Sequence, residues 1–322
     1  MSDLFAEQNG DILVLGLGDA GGRVAGAGCD NASHPESPLR VSWAAAHERP
    51  AALIATGLEQ KVLFNSSEGP FARKRAAQYV AMRETELLRL AAGKSVVIIA
   101  GALDEQTVRV FLPAIAEALQ RSSDLLVCAV GCDPSGKANA SQELEDTCHL
   151  LIQPSVDKLA REFRDRPQQE FQKALEHRLL QAIETLSGAL CGSSITPAAL
   201  RGALRGNGAL YAGIGVARGP EAILESVEAA LADSSAGRME YSGLLAAVAA
   251  PRPLTVSETG RIHERLRAWG SIDGRVLLGS SVQFCPVADA VALVLCRQAS
   301  GNKVISIDSF ENNHFSTMKS LV

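Results

Sequence analysis

The segment LVLGLGDAGGRVAGAG, residues 13–28, joins an apolar run to a glycine-rich turn and an alanine-rich stretch. The run Ile12–Leu15 predicts a buried strand, and the alanine-rich stretch predicts a helix. Four glycines lie between or inside these two elements, namely Gly16, Gly18, Gly21 and Gly22. Such a turn can present bare backbone N–H groups and the positive end of a helix dipole to an anion. The segment therefore predicts a phosphate-binding turn.

Composition restricts the class of protein to which the chain can belong. Its 322 residues are 47% hydrophobic and only 4% aromatic, which is typical of a two-domain α/β protein. The apolar runs Ser95–Ala100 and Leu125–Val130 are far shorter than the roughly 20 residues that span a bilayer. The first ten residues resemble no export signal, so we expect a cytoplasmic protein. The net charge of −5 argues against a nucleic-acid-binding protein.

The cysteines and histidines give no sign of a disulfide framework or a metal centre. Seven cysteines are scattered through the chain, an odd number that favours reduced thiols. Cys128 and Cys132 are too far apart in sequence for a Cys-x-x-Cys pair, and no histidine lies near them. We therefore expect no bound metal.

Strands and helices alternate through the first half of the chain, and the second half differs. The predicted strands of the first half are 12–15, 41–46, 60–64, 95–100, 124–131 and 149–155. Its predicted helices follow the first strand and cover Phe71–Ala92, Val108–Arg121 and residues 142–148. This alternation predicts an α/β fold with a doubly wound parallel sheet.

A long helical pattern, Gln168–Leu190, connects that half to a four-stranded α+β module. The module has predicted strands at 209–217, 242–250, 275–284 and 289–296, with helices at 220–232 and 256–269. The predicted organisation is a nucleotide-binding-type domain over 1–166, a central linking helix over 167–192, the module over 193–296 and a tail over 297–322.

Several segments, in this order, resemble the FtsZ/tubulin superfamily. The segments that carry the resemblance are LGLGDAGGRVA, VVIIAGALDEQTVRVFLPAIAEAL, LLIQPSVDKL, GIGVARG with the Glu/Ala-rich helix after it, LLAAVAAPRPLTVSETGRIHERLR and GRVLLGSSVQ. They span roughly residues 11–296. The resemblance implies a GTPase-like domain joined by a central helix to a smaller domain. It also implies a cytoskeletal protein that assembles into filaments.

The loop that would wrap the nucleotide phosphates has lost its glycines. In FtsZ this loop is nearly continuous glycine and threonine, because residues without a Cβ let several N–H groups converge on one anion. Here residues 102–108 read ALDEQTV, with Asp104 and Glu105 where phosphate would lie. Two carboxylates repel a triphosphate unless a cation lies between them. The alternative is that both acids cap the helix that follows.

The catalytic and base-reading positions have also changed. The resemblance places the family's Asn-x-Asp-x-x-Asp loop, whose acids polarise the attacking water, on Ser194, Thr196 and Ala199. Thr196 followed by Pro197 is instead typical of a helix start. The central-helix positions that contact guanine in FtsZ are Glu176 and His177. Glu176 could accept hydrogen bonds from guanine or lie solvated on the helix surface. No catalytic residue is assigned.

The candidate cofactor-binding residues are therefore those of the first turn: Gly16, Gly18, Gly21, Gly22 and Arg23. Arg23 could bind a phosphate or pair with Asp19 or Asp30, and a glycine turn can also serve only to pack helix on strand. No cofactor is expected, and any binding of GTP or GDP would be weak. The predicted function is that of a degenerate FtsZ-like protein, without GTP hydrolysis, that self-associates or joins another FtsZ-type filament in division or membrane remodelling.

Three other functions are weighed against this one. An active GTPase with atypical loops would need another acid, and Glu143 and Glu184 are not at motif positions. A nicotinamide oxidoreductase would need a ribose-binding acid at the end of the second strand, where residues 44–46 are alanines. The tail could bind an adaptor through Ile305, Ile307 and Phe310, or KVISI could add a strand. The sequence contains no basic amphipathic helix, so we expect no direct membrane binding.

Overall fold

The computed structural model gives the chain as ten strands and ten helices within the residues it describes. Those residues are 11–32, 41–66, 69, 71–121, 125–133, 144, 147–192, 195–206, 210–234, 240–269, 271–283 and 288–299. The strands are β1 Asp11–Leu17, β2 Val41–His47, β3 Gln60–Leu63, β4 Lys94–Ala102, β5 Leu126–Cys132, β6 Leu150–Ile152, β7 Leu210–Ala217, β8 Glu240–Ala250, β9 Ser271–Val282 and β10 Ala290–Gln298. The helices are α1 Gly18–Ala32, α2 Pro50–Ala55, α3 Ala72–Met82, α4 Glu84–Ala91, α5 Gln106–Gln120, α6 Asp157–Glu162, α7 Gln168–Gly192, α8 Pro197–Ala203, α9 Ala222–Asp233 and α10 Val256–Trp269.

The first six strands form one parallel sheet in the order β3-β2-β1-β4-β5-β6. The order reverses at β1, which lies between β2 and β4. In such sheets ligands bind beyond the carboxyl ends of the strands, at the point where the order reverses. That point is where β1 leads into the glycine turn, so the fold places the turn in the position of a ligand-binding site.

Helices cover both faces of this sheet, as the apolar strands require. Along β1, Ile12 and Val14 face one apolar cluster, while Leu13, Leu15 and Leu17 face the other. A strand buried on both faces reads as a continuous apolar run rather than an alternating one. The predicted doubly wound parallel sheet is confirmed.

The last four strands form a smaller mixed sheet in the order β7-β10-β8-β9. Strand β10 is antiparallel to both of its neighbours, whereas β8 and β9 are parallel. Helix α7 lies between the two sheets, and its Leu179, Ile183 and Leu186 belong to an apolar cluster that includes residues of both. The central helix is therefore part of a core that the two sheets share.

Three details differ from the sequence-based expectations. The helix expected over Phe71–Ala92 is two helices, because Arg83 leaves helical geometry (φ −111°, ψ 8°) and both ends α3 and begins α4. The short helix α2 was not predicted. Strand β10 continues through Arg297 and Gln298, two residues into the predicted tail. The helix expected near 142–148 and the rest of the tail lie largely or wholly outside the described residues.

Six cysteines lie among the described residues, and four of them are deeply buried. Cys128, Cys132, Cys148 and Cys296 are buried, whereas Cys29 and Cys191 are partly accessible. Burial raises the pKa of Cys132 and of Cys296 to about 12. These buried cysteines pack as small apolar residues. Among the described helices, none is both long and apolar enough to cross a membrane.

Candidate phosphate-binding site

The glycine turn brings α1 into close contact with the sheet. A Cβ at Gly16 would overlap the carbonyl oxygen of Gly21, and a Cβ at Gly21 would overlap the carbonyl oxygen of Ala100 in β4. Gly22 lies against the side chain of Thr56. Gly16 and Gly21 therefore serve helix–strand packing, and Gly22 packs α1 against the end of α2.

Gly18 is the glycine that faces the site. It has a φ of +77°, a left-handed conformation that glycine adopts without strain. This conformation begins α1 so that the N–H groups of Asp19 and Ala20 point out from the helix end. The first N–H groups of a helix have no partner inside the helix, and the helix dipole adds to their attraction for an anion.

The carboxylate of Glu105 occupies this position. The Asp19 N–H donates to Glu105 Oε2 at 2.8 Å, and the Ala20 N–H donates to Glu105 Oε1 at 2.9 Å. A Cβ at Gly18 would overlap Oε2, so the turn closes tightly around the carboxylate. The chain thus supplies its own anion to the helix end that sequence reasoning assigned to a phosphate.

Glu105 does not cap the helix that it precedes. It stands at the N-cap position of α5 but makes no side-chain capping bond there. The expectation that Glu105 caps its own helix is therefore wrong, because its side chain reaches across to the N-terminus of α1. Asp104, beside it, is exposed.

Burial raises the pKa of Glu105, and the N–H groups of Ala20 and Asp19 oppose that rise. The Asp19 carboxylate raises the pKa of Glu105 further, while Arg23 lowers it. Burial also raises the pKa of Asp104, with a smaller contribution from Asp133. Three carboxylates, those of Asp19, Asp104 and Glu105, thus lie at or beside the turn.

Asp19 is contacted by His47, the last residue of β2, and by Arg49, two residues further on. Arg49 forms an ion pair with Asp19, and His47 Nε2 lies 3.1 Å from Asp19 Oδ1. His47 Nδ1 accepts a hydrogen bond from the Arg49 N–H at 2.9 Å, which leaves Nε2 to donate to Asp19. His47 is buried, so this arrangement fixes the carboxylate beside the turn.

Arg23 binds Glu176 rather than either of the acids expected from sequence. Its Nε donates to Glu176 Oε1 at 2.8 Å, and its Nη2 lies 2.7 Å from the same oxygen. Two turns further along α1, Asn31 Nδ2 donates to Glu184 Oε1 at 2.9 Å. The first helix is thereby tied to the central helix at two points. The Glu176 side chain is 19% exposed, and its partner Arg23 is 54% exposed.

The segment onto which the resemblance placed the family's catalytic loop begins a helix. Thr196 is the N-cap of α8, where its Oγ1 accepts a hydrogen bond from the Ala199 N–H at 3.1 Å, and Pro197 is the first helical residue. The predicted helix start is confirmed. Ser194 lies outside the described residues. Within those residues, no cluster of three or more His, Cys, Asp or Glu side chains could hold a metal ion.

The contact between the glycine turn and the loop at residues 102–108 was not predicted from the sequence. Gly16 in β1 pairs with Ala100 in β4, so the two strands end at the same edge of the sheet. The residues after each strand, Asp19 and Glu105, are therefore neighbours. Adjacent parallel strands have their carboxyl ends at the same edge of the sheet. The contact could therefore have been predicted only if β1 and β4 had been known to be adjacent. His47 was missed for the same reason.

Comparison with solved structures gives close agreement in fold at low sequence identity. A mutant of FtsZ from M. jannaschii is 18% identical with a TM-score of 0.75, over 90% of this chain and 91% of that chain. An empty dimer of FtsZ from the same organism is 19% identical with a TM-score of 0.74, over 90% and 88%. A GTPγS-bound protofilament of CetZ2 from Haloferax volcanii is 15% identical with a TM-score of 0.67, over 93% and 96%.

These similarities show that the chain has the fold of the FtsZ and CetZ structures, as predicted from the residues. No family model and no curated protein matches the chain.

Proposed function

We propose that this chain is a degenerate FtsZ-like cytoskeletal protein that does not hydrolyse GTP. It acts in the cytoplasm by self-assembly or by association with FtsZ-type filaments, in cell division or membrane remodelling. The observation that supports this most directly is the carboxylate of Glu105 on the N–H groups of Asp19 and Ala20. The position in which a nucleotide phosphate would lie is taken by a negatively charged group of the chain.

A nucleotide would have to displace this carboxylate before its phosphates could reach the turn. Each of the two hydrogen bonds has a charged acceptor, and such bonds contribute about 1.5–3 kcal/mol each. The displaced carboxylate would then lie near the phosphates and repel them. Arg23, the cation that follows the turn, is already paired with Glu176. Nucleotide affinity is therefore low.

The carboxylates that would activate water for GTP hydrolysis are absent as well. In the FtsZ-type arrangement one subunit offers carboxylates that orient and polarise the attacking water at the nucleotide of the next. Here Thr196 uses its hydroxyl to cap α8, and Ala199 has no polar side chain. Neither residue can activate water, so a bound nucleotide would not be cleaved.

Assembly without nucleotide follows from the same reasoning. The FtsZ and CetZ2 structures similar to this chain are named as an empty dimer and a GTPγS-bound protofilament. If nucleotide no longer mediates the contact between subunits, protein surfaces alone must make it. An adaptor could add to this through Ile305, Ile307 and Phe310, which lie outside the described residues.

Sedimentation and negative-stain imaging with and without GTP test the assembly claim. We expect filaments in both conditions and equal pelleted fractions. Ala198 is exposed on α8, next to the helix start at Thr196. We choose it for a disrupting Ala198→Arg variant. Ala77→Arg, on the exposed face of α3, is the matched control and should leave pelleting unchanged. Monomers under all salt and crowding conditions would contradict the proposal.

A nucleotide-binding GTPase with atypical loops is the second candidate. It is favoured by the retained geometry of Gly18 and by the two outward N–H groups of α1. Phosphate release at high protein concentration distinguishes the two. Turnover above the blank supports the GTPase, whereas no release supports the degenerate protein.

A further inference from the structure

We propose that Glu105 is a built-in replacement for a phosphate group, an autoinhibitory contact that holds the α1 turn closed and shuts phosphate out. The inference deepens the proposed function and rests on it, because it names what keeps the nucleotide site inactive. The loss of hydrolysis could arise from the missing acids alone. The new claim is that the turn itself still binds an anion and that the anion is Glu105.

The geometry is that of a bound two-oxygen anion. The two carboxylate oxygens take separate N–H donors at 2.8 and 2.9 Å, from consecutive residues of α1. Glu105 is 86 residues from Asp19 and 85 residues from Ala20 in sequence. Local helix capping therefore does not account for it.

The neighbouring charges are arranged around this contact. Arg49 and His47 both contact the Asp19 carboxylate, which lies next to the turn. Within the part of the chain that the structure describes, no Lys, Arg or His side chain forms an ion pair with Glu105. Its negative charge is held by the helix end, as a phosphate would be.

Removal of the Glu105 side chain should leave an anion site that an added anion can fill. Glu105→Gly is a suitable variant, because glycine is tolerated at an N-cap and Glu105 makes no capping bond for α5 to lose. Asp104→Gly is the matched control, since it removes the same charge and adds the same backbone freedom one residue away. The probe is inorganic pyrophosphate at millimolar concentration, with sodium chloride of equal ionic strength as the reference.

Thermal unfolding of the full chain gives the readout. We expect Glu105→Gly to lower Tm by roughly 4 °C, because two N–H groups lose their acceptor. Pyrophosphate should restore part of that loss in Glu105→Gly while leaving the wild type and Asp104→Gly unchanged. Hydrogen exchange of the peptide 18–23 should show the same pattern, with protection lost in Glu105→Gly and regained with pyrophosphate.

A folded Glu105→Gly variant whose Tm and exchange ignore pyrophosphate would overturn the inference, as would an equal response in the wild type or in Asp104→Gly. If Glu105→Gly does not fold, Glu105→Ala is measured instead, with the same expected and contradicting results. These outcomes are independent of the proposed function. Wild-type GTP turnover would refute the lack of hydrolysis without touching the response to pyrophosphate.

Discussion

At Gly21 the first helix lies so close to strand β4 that the position has no room for a methyl group. The glycines of the turn therefore divide into two groups. Gly16 and Gly21 allow contact between backbones, and Gly18 alone adopts a conformation that directs N–H groups at an anion. Two glycines of this turn are therefore needed for packing, whether or not the turn binds a ligand.

Gly21→Ala should destabilise the protein by about 3 kcal/mol or more, because overpacking against backbone atoms cannot be relieved by side-chain rotation. Gly260→Ala is the control, since a Cβ at this position in α10 meets nothing within 4 Å. It should be neutral or stabilise by up to about 1 kcal/mol. Urea denaturation of both variants gives the two free energies of unfolding. Equal values would show that Gly21 is not a packing residue.

At the scale of single elements, helix starts are set by short polar motifs. Helix α10 begins with a capping box: the Thr255 N–H donates to Glu258 Oε2 at 2.8 Å, and the Glu258 N–H donates to Thr255 Oγ1 at 3.2 Å. Arg252 adds a two-pronged contact to the Glu258 carboxylate at 2.9 and 2.6 Å. The hydrogen bond from Arg252, followed by that from the Thr255 backbone, lowers the pKa of Glu258 to about 2.

Glu258→Gln should lower the free energy of unfolding by up to about 1 kcal/mol at neutral pH, a modest effect because the pair is largely solvated. A carboxyl group whose pKa is lower in the folded state stabilises above its ordinary pKa. The contribution of the Glu258 carboxylate to stability is therefore lost as the pH falls from roughly 4.3 towards 2. Urea denaturation from pH 7 to 3 should show the difference from wild type shrinking. Glu264→Gln, on an exposed face of the same helix, should show no such trend, and a constant difference for Glu258→Gln would contradict the assignment.

Elements with a clear local signal could be predicted, and contacts between distant elements could not. Helix α10 was predicted with its observed bounds, because its Thr-x-x-Glu start and apolar spacing are local. The break at Arg83 was missed, since Leu87 and Ala91 continue an apolar pattern that a single helix would also satisfy. The contact of Glu105 with α1 depends on the pairing of β1 with β4, which periodicity does not reveal.

At the scale of the whole molecule, a buried ion pair links the central helix to the second sheet. Arg178 of α7 pairs with Asp233 at the end of α9, and their side chains are only 12% and 6% exposed. Asp233 also accepts the Ile214 N–H of β7 at 2.9 Å. The central helix is thus tied by polar contacts to α1 on one side and to the smaller sheet on the other.

Asp233→Ala should destabilise the protein by about 3–5 kcal/mol, because it leaves the Arg178 charge buried and unpaired. The matched control is Glu228→Ala, also on α9, whose ion pair with Arg265 is exposed. Glu228→Ala should lower the free energy of unfolding by about 1 kcal/mol or less. Chemical denaturation measures both, and comparable losses would show that the buried pair does not join the two parts of the molecule.

We propose that the chain keeps the FtsZ fold while its own Glu105 replaces the nucleotide phosphate. Calorimetric titration of the nucleotide-stripped protein with GTP and GDP, in the presence of magnesium, tests this most directly. We predict no binding heat up to millimolar nucleotide. Micromolar binding of either nucleotide would contradict the account, because it would show that the glycine turn still takes a phosphate in spite of Glu105.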